Sequence, residues 1–257
     1  MEGAITRNVP PLFPIPSYVS AALHDLRSLC ATHVFLYSPK LQQEIPGASE
    51  AIAILADLEY SVFWLAREVE SDHGDFWSNA SVDAMRLVPL IHRCLCLSPN
   101  DALAASIDGH SVDQCFSDAI RHTIVLFLAP IRRRFGPPAS GTELYVNHAK
   151  DAIQRCCDHQ SALKLQKLLF WIIAVAAVEA CTLALNASWF FDRMLEMCAI
   201  VGAKDFDDIC RFIEHSIDQS LWLRVVMAPG LNLMMKKFRI TVRQLVGAKG
   251  NEVRFTT

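Results

Sequence analysis

One carboxylate stands inside the most apolar stretch of the sequence. The stretch runs from Lys164 to Leu185, and Glu179 lies within it. A carboxylate in apolar surroundings either pairs with a buried cation, which is the more common arrangement, or lines a polar pocket, and its pKa rises if it has no partner. We take Glu179 as a candidate for a ligand pocket. Three tryptophans on this and the following segments are candidates for its lining: Trp171, Trp189 and Trp222.

A second group of acids, Asp205, Asp207 and Asp208, surrounds Phe206 in a DFDD segment. The segment is similar to the acidic motif of cyclases that protonate isoprenoids, which require a buried, protonated aspartate. The same acids can instead cap a helix and occupy its first turn, where the helix dipole favours negative charge. We favour the capping role. The sequence has no Gly-x-Ser-x-Gly, phosphate-binding glycine loop or His-Glu-x-x-His motif, so we predict no catalytic residues.

The nine cysteines do not show the spacing of a structural zinc site, because no Cys-x-x-Cys pair occurs. Two groups bring cysteine and histidine close together in the sequence. They are His92, Cys94 and Cys96, and Cys156, Cys157 and His159. Neighbouring positions on a helix point apart, so we predict neither a metal site nor a cofactor. The odd number of cysteines and the lack of an apolar signal-peptide core at the N-terminus indicate a reducing compartment.

Arg132, Arg133 and Arg134 form the only tight run of basic residues. Such a run either contacts nucleic-acid phosphates or stabilises a helix C-terminus, where the carbonyl groups carry partial negative charge. The net charge of −3 gives the chain no general attraction for polyanions. We therefore favour the helix C-terminus and expect no sequence-specific DNA binding by this chain.

The elements that must position these groups are helices, because apolar residues recur at helical spacing and no useful strand alternation appears. With 52% hydrophobic residues, a chain of 257 residues can bury one large core. The sequence predicts an all-α, single-domain multi-helix bundle around a buried central hydrophobic helix, Lys164–Leu185. A Pro-rich lead (1–16) precedes the helical domain (17–245), and a flexible tail (246–257) follows it.

Proline, glycine and capping residues set the expected helix boundaries. The run from Leu168 approaches the length of about 18 apolar residues that could span a membrane, but Glu179 and the amphipathic flanks favour a core helix and no membrane contact. A break at 186–188 separates it from the next helix. The other predicted helices are Ser17–Tyr37, one starting at Ala48, Ser81–Leu97 with a break or bend at Pro89, Ser111–Arg134 with Pro130 inside, and Thr142–Asp158.

Four segments between Val82 and Met235 resemble a known family. They are SDAIRHTIVLFLAPIRRRFG, LLFWIIAVAAVEA, SWFFDRMLEM and DFDDICRFIEHSIDQSLW. The pattern is similar to the helical region of the fungal-specific transcription factor domain, which follows the DNA-binding module in fungal zinc-cluster activators. The six closely spaced cysteines of the family's zinc cluster have no counterpart in this sequence.

The resemblance implies a regulatory protein of a fungus, in the nucleus or alternatively the cytoplasm, with a link to secondary metabolism. It would act through a protein partner, such as a complete zinc-cluster factor or a second copy of itself, or through a small-molecule effector. The alternative is a cyclase- or isomerase-type enzyme, or a ligand-binding protein, of a natural-product pathway that uses the same helical fold. A pocket beside the central helix would favour that alternative.

Overall fold

The computed structural model describes residues 8, 11, 14, 39–71, 76–97, 111–136, 141–159, 165–200, 233–234 and 236–240. Of these residues, 88% are helical and none lies in a strand. The predicted all-α fold class is therefore confirmed. The chain forms two compact units, which are divided between Leu165 and Gln166.

The predicted domain boundaries at residues 17, 245 and 246 lie outside the described residues. The same holds for the predicted helix Ser17–Tyr37, for the DFDD segment at 205–208, and for Trp222. The single-domain organisation and the division into lead, helical domain and tail therefore stay predictions.

The described part of the first unit contains six α-helices. They are α1 (Pro39–Glu44), α2 (Ser49–Ser71), α3 (Ala80–Val82), α4 (Val88–Cys96), α5 (Val112–Arg134) and α6 (Thr142–Cys157). Short 3-10 turns precede α2 and α3, at Pro46–Ala48 and Phe76–Ser78. α5 packs against α2, α4 and α6, so it is the helix around which this unit is arranged.

The start of α5 is fixed by two contacts of polar groups. The Ser111 hydroxyl accepts a hydrogen bond from the N–H of Gln114 at 3.3 Å, which caps the helix as a serine at this position should. In the first turn, Asp113 accepts from the N–H of Gly47 at 2.6 Å. A Cβ at Gly47 would lie 2.8 Å from that carboxylate oxygen, so the Pro46–Ala48 turn needs glycine to approach α5 this closely.

The helical stretch around Pro89 changes its winding ahead of the proline. Asp83–Leu87 form a π-helical segment between α3 and α4. Pro89 has no N–H to offer the carbonyl of Met85, four residues earlier, and its ring crowds that carbonyl. The backbone widens instead, and the N–H of Val88 donates to the carbonyl of Asp83, five residues back. The predicted interruption at Pro89 is thus found, one turn before the proline itself.

The arginine run at the end of α5 makes specific contacts inside the first unit. Arg132 Nε donates to both carboxylate oxygens of Asp83, at 3.0 and 3.3 Å, and both side chains are buried. The Arg134 guanidinium lies over the ring of Trp77, 3.7 Å from its centroid. Trp77 in turn contacts the Phe135 ring, with centroids 5.0 Å apart. The arginine run therefore lies at a helix C-terminus, as predicted, and it also forms an ion pair and a cation–π contact.

The described part of the second unit contains α7 (Gln166–Thr182) and α8 (Ser188–Ile200), which pack against each other. Every residue of α7 from Leu168 to Cys181 is buried. The prediction of a helix that is buried on all sides, with Glu179 inside it, is confirmed for this segment. No helix among the described residues has the length and hydropathy needed to span a membrane.

The connection between α7 and α8 is a tight, well-capped turn. Ala184 adopts a left-handed conformation with φ of 58°, and the N–H of Leu185 donates to the carbonyl of Ala180 at 2.8 Å. This is the Schellman arrangement that ends many helices. The side-chain oxygen of Asn186 then accepts from the N–H of Ser188 at 3.0 Å and so starts α8. The break predicted at 186–188 is confirmed.

One face of α8 is apolar, as the spacing predicts. Phe190, Met194 and Met197 are buried, whereas Asp192 and Glu196 are exposed. The helical residues 236–240 complete the described part of this unit. Their Phe238 contacts the ring of Phe191 at 5.5 Å between centroids, and Lys237 donates to the carbonyl of Cys181 at 3.4 Å.

The Asp83–Arg132 pair gives a prediction about stability. Arg132→Met removes the cation and leaves Asp83 buried, so we expect the free energy of unfolding to fall by about 3–5 kcal/mol. Asp83→Leu should cost a similar amount for the converse reason. The double variant Asp83→Leu/Arg132→Met leaves no buried charge and should be more stable than either single variant. Urea unfolding of the four proteins measures this, and losses that simply add in the double variant would contradict it.

Candidate functional site

The described residues predicted for a ligand pocket lie at different levels of the second unit. Glu179 and Trp171 are both buried on α7. They are eight residues apart, which separates them by roughly 12 Å along the helix axis at about 1.5 Å per residue. Trp189 is half-buried near the start of α8, with its ring 5.1 Å from that of Phe190 and 5.5 Å from the Arg193 guanidinium. The pocket that these residues would line with Trp222 stays a prediction.

The described chain does bring together another set of polar side chains, where α5 packs against α4 and α6. We call it the Arg121 cluster, and its members come from three helices. They are Cys94 from α4, Asp118, Arg121 and His122 from α5, and Tyr145, His148 and Arg155 from α6.

Helical spacing explains why these residues meet. Tyr145, His148 and Arg155 follow one another at intervals of three and seven residues, so they share one face of α6. Arg121 and His122 are adjacent and point in directions about 100° apart. Both are nevertheless buried, with 5% and 4% of their surface exposed, because α5 is covered by neighbours on most sides.

Arg121 is the residue that links the cluster. Its Nη1 donates to the carbonyl of Leu97 at 3.0 Å, at the end of α4. Its Nη2 lies 3.2 Å from His122 Nε2 and 3.8 Å from a carboxylate oxygen of Asp118. The other oxygen of Asp118 accepts from Arg155 Nη2 at 3.2 Å. One carboxylate therefore lies between two guanidinium groups.

The contact between Arg121 and His122 fixes the tautomer of the histidine. A guanidinium group has only donors, so Nη2 donates and His122 Nε2 accepts. A neutral His122 must then carry its proton on Nδ1. The ring stacks on His148, with centroids 5.1 Å apart and planes inclined by 21°, and the Tyr145 ring lies 5.8 Å from it.

The two histidines, the tyrosine and the thiol of the cluster are held in their neutral forms. Burial, followed by the charge of Arg121, places the pKa of His122 well below its ordinary value of 6.5. The same two causes lower the pKa of His148, although Asp151 and Asp118 act in the opposite direction. Burial raises the pKa of Tyr145, and it raises the pKa of the Cys94 thiol to about 12. None of these shifts prepares a nucleophile or a general base for work near neutral pH.

Several buried N–H donors of the cluster have no acceptor within the described part of the chain. They are Nε of Arg121, Nδ1 of His122 and Nε of Arg155. The hydroxyl of Thr123, the next residue along α5, is likewise without a partner among the described residues. Buried polar groups are nearly always hydrogen-bonded, so the acceptors of these donors must come from residues outside the described ranges, from water or from a bound molecule. The arrangement is better suited to binding than to proton transfer.

The thiols near this cluster are arranged for packing. Cys115 Sγ lies 3.9 Å from His159 Nε2, and Cys96 Sγ lies 3.4 Å from His92 Nδ1. Burial raises the pKa of Cys115 and of Cys156. Among the residues that the structure describes, no three His, Cys, Asp or Glu side chains come together as a metal site requires.

His122 is buried and hydrogen-bonded through Nε2, and the sequence did not identify its partners. The available signal was the Arg121–Thr123 triplet, which interrupts an otherwise apolar run in α5. Nothing in the sequence alone pairs that triplet with the face of α6 that carries His148. The contact comes from helix packing between residues 26 positions apart.

None of the protein-family models, curated proteins or solved structures compared with this chain matches it. The resemblance to the fungal transcription factor domain therefore depends on the four segments quoted above and stays a prediction. The function has to be inferred from the residues and contacts of the chain itself.

The lowered pKa of His122 predicts an acid-sensitive stability. The folded protein binds this proton less readily than the unfolded chain, whose histidine has the ordinary pKa of 6.5. Stability contributed by neutral His122 is therefore present above that value and is lost as the pH falls below it. We expect the free energy of unfolding to fall there by up to about 1.4 kcal/mol per pH unit from this residue.

His122→Gln tests the assignment, because glutamine can still accept from Arg121 but does not titrate. Denaturant unfolding between pH 5 and 8 should show a shallower decline below the ordinary histidine pKa for this variant than for the original chain. His92→Gln on α4 is the matched control and should keep the original slope. Equal slopes for all three proteins would show that His122 does not control the acid response.

Proposed function

We propose that this chain is a regulatory protein that acts through a protein partner or a small effector, and that its own surface does not read DNA sequence. The resemblance of the four segments to the fungal transcription factor domain supports a role in the fungal nucleus, with a link to secondary metabolism. A complete zinc-cluster factor or a second copy of the chain is the partner expected for such a domain. The cytoplasm is the alternative compartment.

The contacts of the arginine run are the observation that supports the DNA part of the proposal. Arg132 is buried in an ion pair with Asp83, and Arg134 lies over Trp77. Arg132 has to give up its buried ion pair before it can neutralise a phosphate, whereas Arg134 is exposed. Non-specific DNA binding requires several free cations spread over one face, and specific binding requires side chains against base edges.

The Arg121 cluster favours a second candidate, in which the fold binds a small molecule of a natural-product pathway. Its buried donors without partners support ligand binding. The neutral state and raised pKa of Tyr145 and Cys94, and the occupied Nε2 of His122, argue against acid–base or nucleophilic catalysis there. A binding role, either regulatory or as a carrier, agrees with these groups better than a cyclase or isomerase does.

The DNA part of the proposal is tested with the purified 257-residue chain. Polarisation titrations against a random duplex pool at physiological salt should show only weak binding that competitor DNA and added salt abolish. Chromatin immunoprecipitation from the source cells should nevertheless recover the chain at discrete loci, because a partner would bring it there.

Tight, competitor-resistant binding by the purified chain would contradict the proposal. The variant Arg133→Gln/Arg134→Gln would then show whether the basic run provides that binding. If the chain is recovered at no locus in the cells, the regulatory role itself is wrong, whatever the purified protein does.

A further inference from the structure

We propose that the Arg121 cluster is a binding site for a small oxyanion, such as the carboxylate or phosphate group of an effector. The inference rests on the effector half of the proposed function, because it names the chemical class that such an effector must contain. Binding is measured on the purified chain without any transcriptional readout, so the site and the regulatory role can fail separately.

The cluster atoms that lack a partner among the described residues are all of one chemical kind. Arg121 Nε and Arg155 Nε belong to guanidinium groups and can only donate. His122 Nδ1 is also a donor. Nε2 accepts the hydrogen bond from Arg121, so the proton of the neutral ring is on Nδ1. Each of these three donors requires an acceptor, and an oxyanion supplies several lone pairs.

The charges of the cluster do not cancel. Asp118 lies within ion-pair distance of both Arg121 and Arg155, at 3.8 and 3.2 Å. Two guanidinium groups therefore share one carboxylate, while His122 is held neutral. Asp151 is exposed, and its influence within the cluster falls on His148. The cluster, with partly exposed Arg155 included, therefore carries one excess positive charge, and an anion of single negative charge would balance it.

The members of the cluster differ in how far they are exposed to solvent. Arg121 and His122 are deeply buried, but His148 and Arg155 are only partly so, and 36% of the Arg155 side chain is exposed. The cluster thus runs from the interior to the surface along one face of α6. An anion that reaches Arg155 from solvent meets a guanidinium group first and buried donors next. Arginine is well suited to this role because its planar group can hold two oxygens at once.

The experiment uses the full chain and three probes: inorganic phosphate, acetate and chloride at equal ionic strength. We expect millimolar phosphate or acetate to raise the melting temperature progressively with concentration, as linkage to a folded-state site requires, and chloride to have a much smaller effect. Isothermal titration calorimetry with the better oxyanion then gives the dissociation constant. The comparison of phosphate with acetate identifies which oxyanion the site prefers.

Arg155→Gln is the test variant, because the partial exposure of this side chain makes it compatible with folding. Loss of its charge-assisted hydrogen bond should weaken oxyanion binding by at least about tenfold. Arg193→Gln on α8 is the matched control. Arg193 also pairs with a carboxylate, Glu196 at 2.6 Å, and its buried Nε also has no partner among the described residues. This control should bind the oxyanion as the original chain does.

The proposal is overturned if neither oxyanion stabilises the chain more than chloride does, since the donors would then be satisfied by water or by residues outside the described ranges. It is also overturned if Arg155→Gln and Arg193→Gln weaken binding equally, because the effect would then reflect net charge. A melting temperature that rises with the oxyanion and becomes insensitive to it only in Arg155→Gln supports the site.

Discussion

The burial of α5 requires that the charged and polar groups on it find partners inside the protein. Arg121, His122 and Arg132 all lie on a helix that is covered by α2, α4 and α6. A buried charge without a partner costs about 3–5 kcal/mol, which is a large part of the net stability of a typical protein. The positions of three surrounding segments are therefore tied to polar contacts: α4 through the carbonyl of Leu97, α6 through Arg155 and Asp118, and the π-helical segment through Asp83.

These contacts differ in how many of the buried charges and hydrogen-bond donors find a partner among the described residues. The Asp83–Arg132 pair is a close match of one anion and one cation, with two short contacts from Nε. In the Arg121 cluster one carboxylate serves two guanidinium groups, and donors remain. A pair that is complete contributes to the uniqueness of the packing, whereas an incomplete network costs stability unless something else completes it. The contrast between two ends of the same helix is why we assign a binding role to one end and a structural role to the other.

The sequence predicted those features that depend on local pattern. A continuous apolar run identified α7, apolar spacing identified the buried face of α8, and Ser111 marked the start of α5 because capping chemistry is local. It did not predict that α5 would be the central helix of a unit of its own, or that His122 and His148 would stack. Those contacts depend on how helices pack. Glu179 was chosen as a candidate only because its neighbours in the sequence are apolar. The arginine run was interpreted correctly in outline, but the ion pair with Asp83 required knowledge of a residue 49 positions away.

The central claim is that Arg121 uses the Nε2 atom of His122 as an acceptor and so leaves Nδ1–H as a buried donor. Long-range ¹H–¹⁵N correlation spectra of the histidine rings at neutral pH measure this directly. The account predicts that His122 is neutral with its proton on Nδ1 and that Nε2 has the shift of an unprotonated nitrogen. A His122 protonated on Nε2, or an imidazolium form at neutral pH, would contradict the tautomer and remove the basis for the anion site.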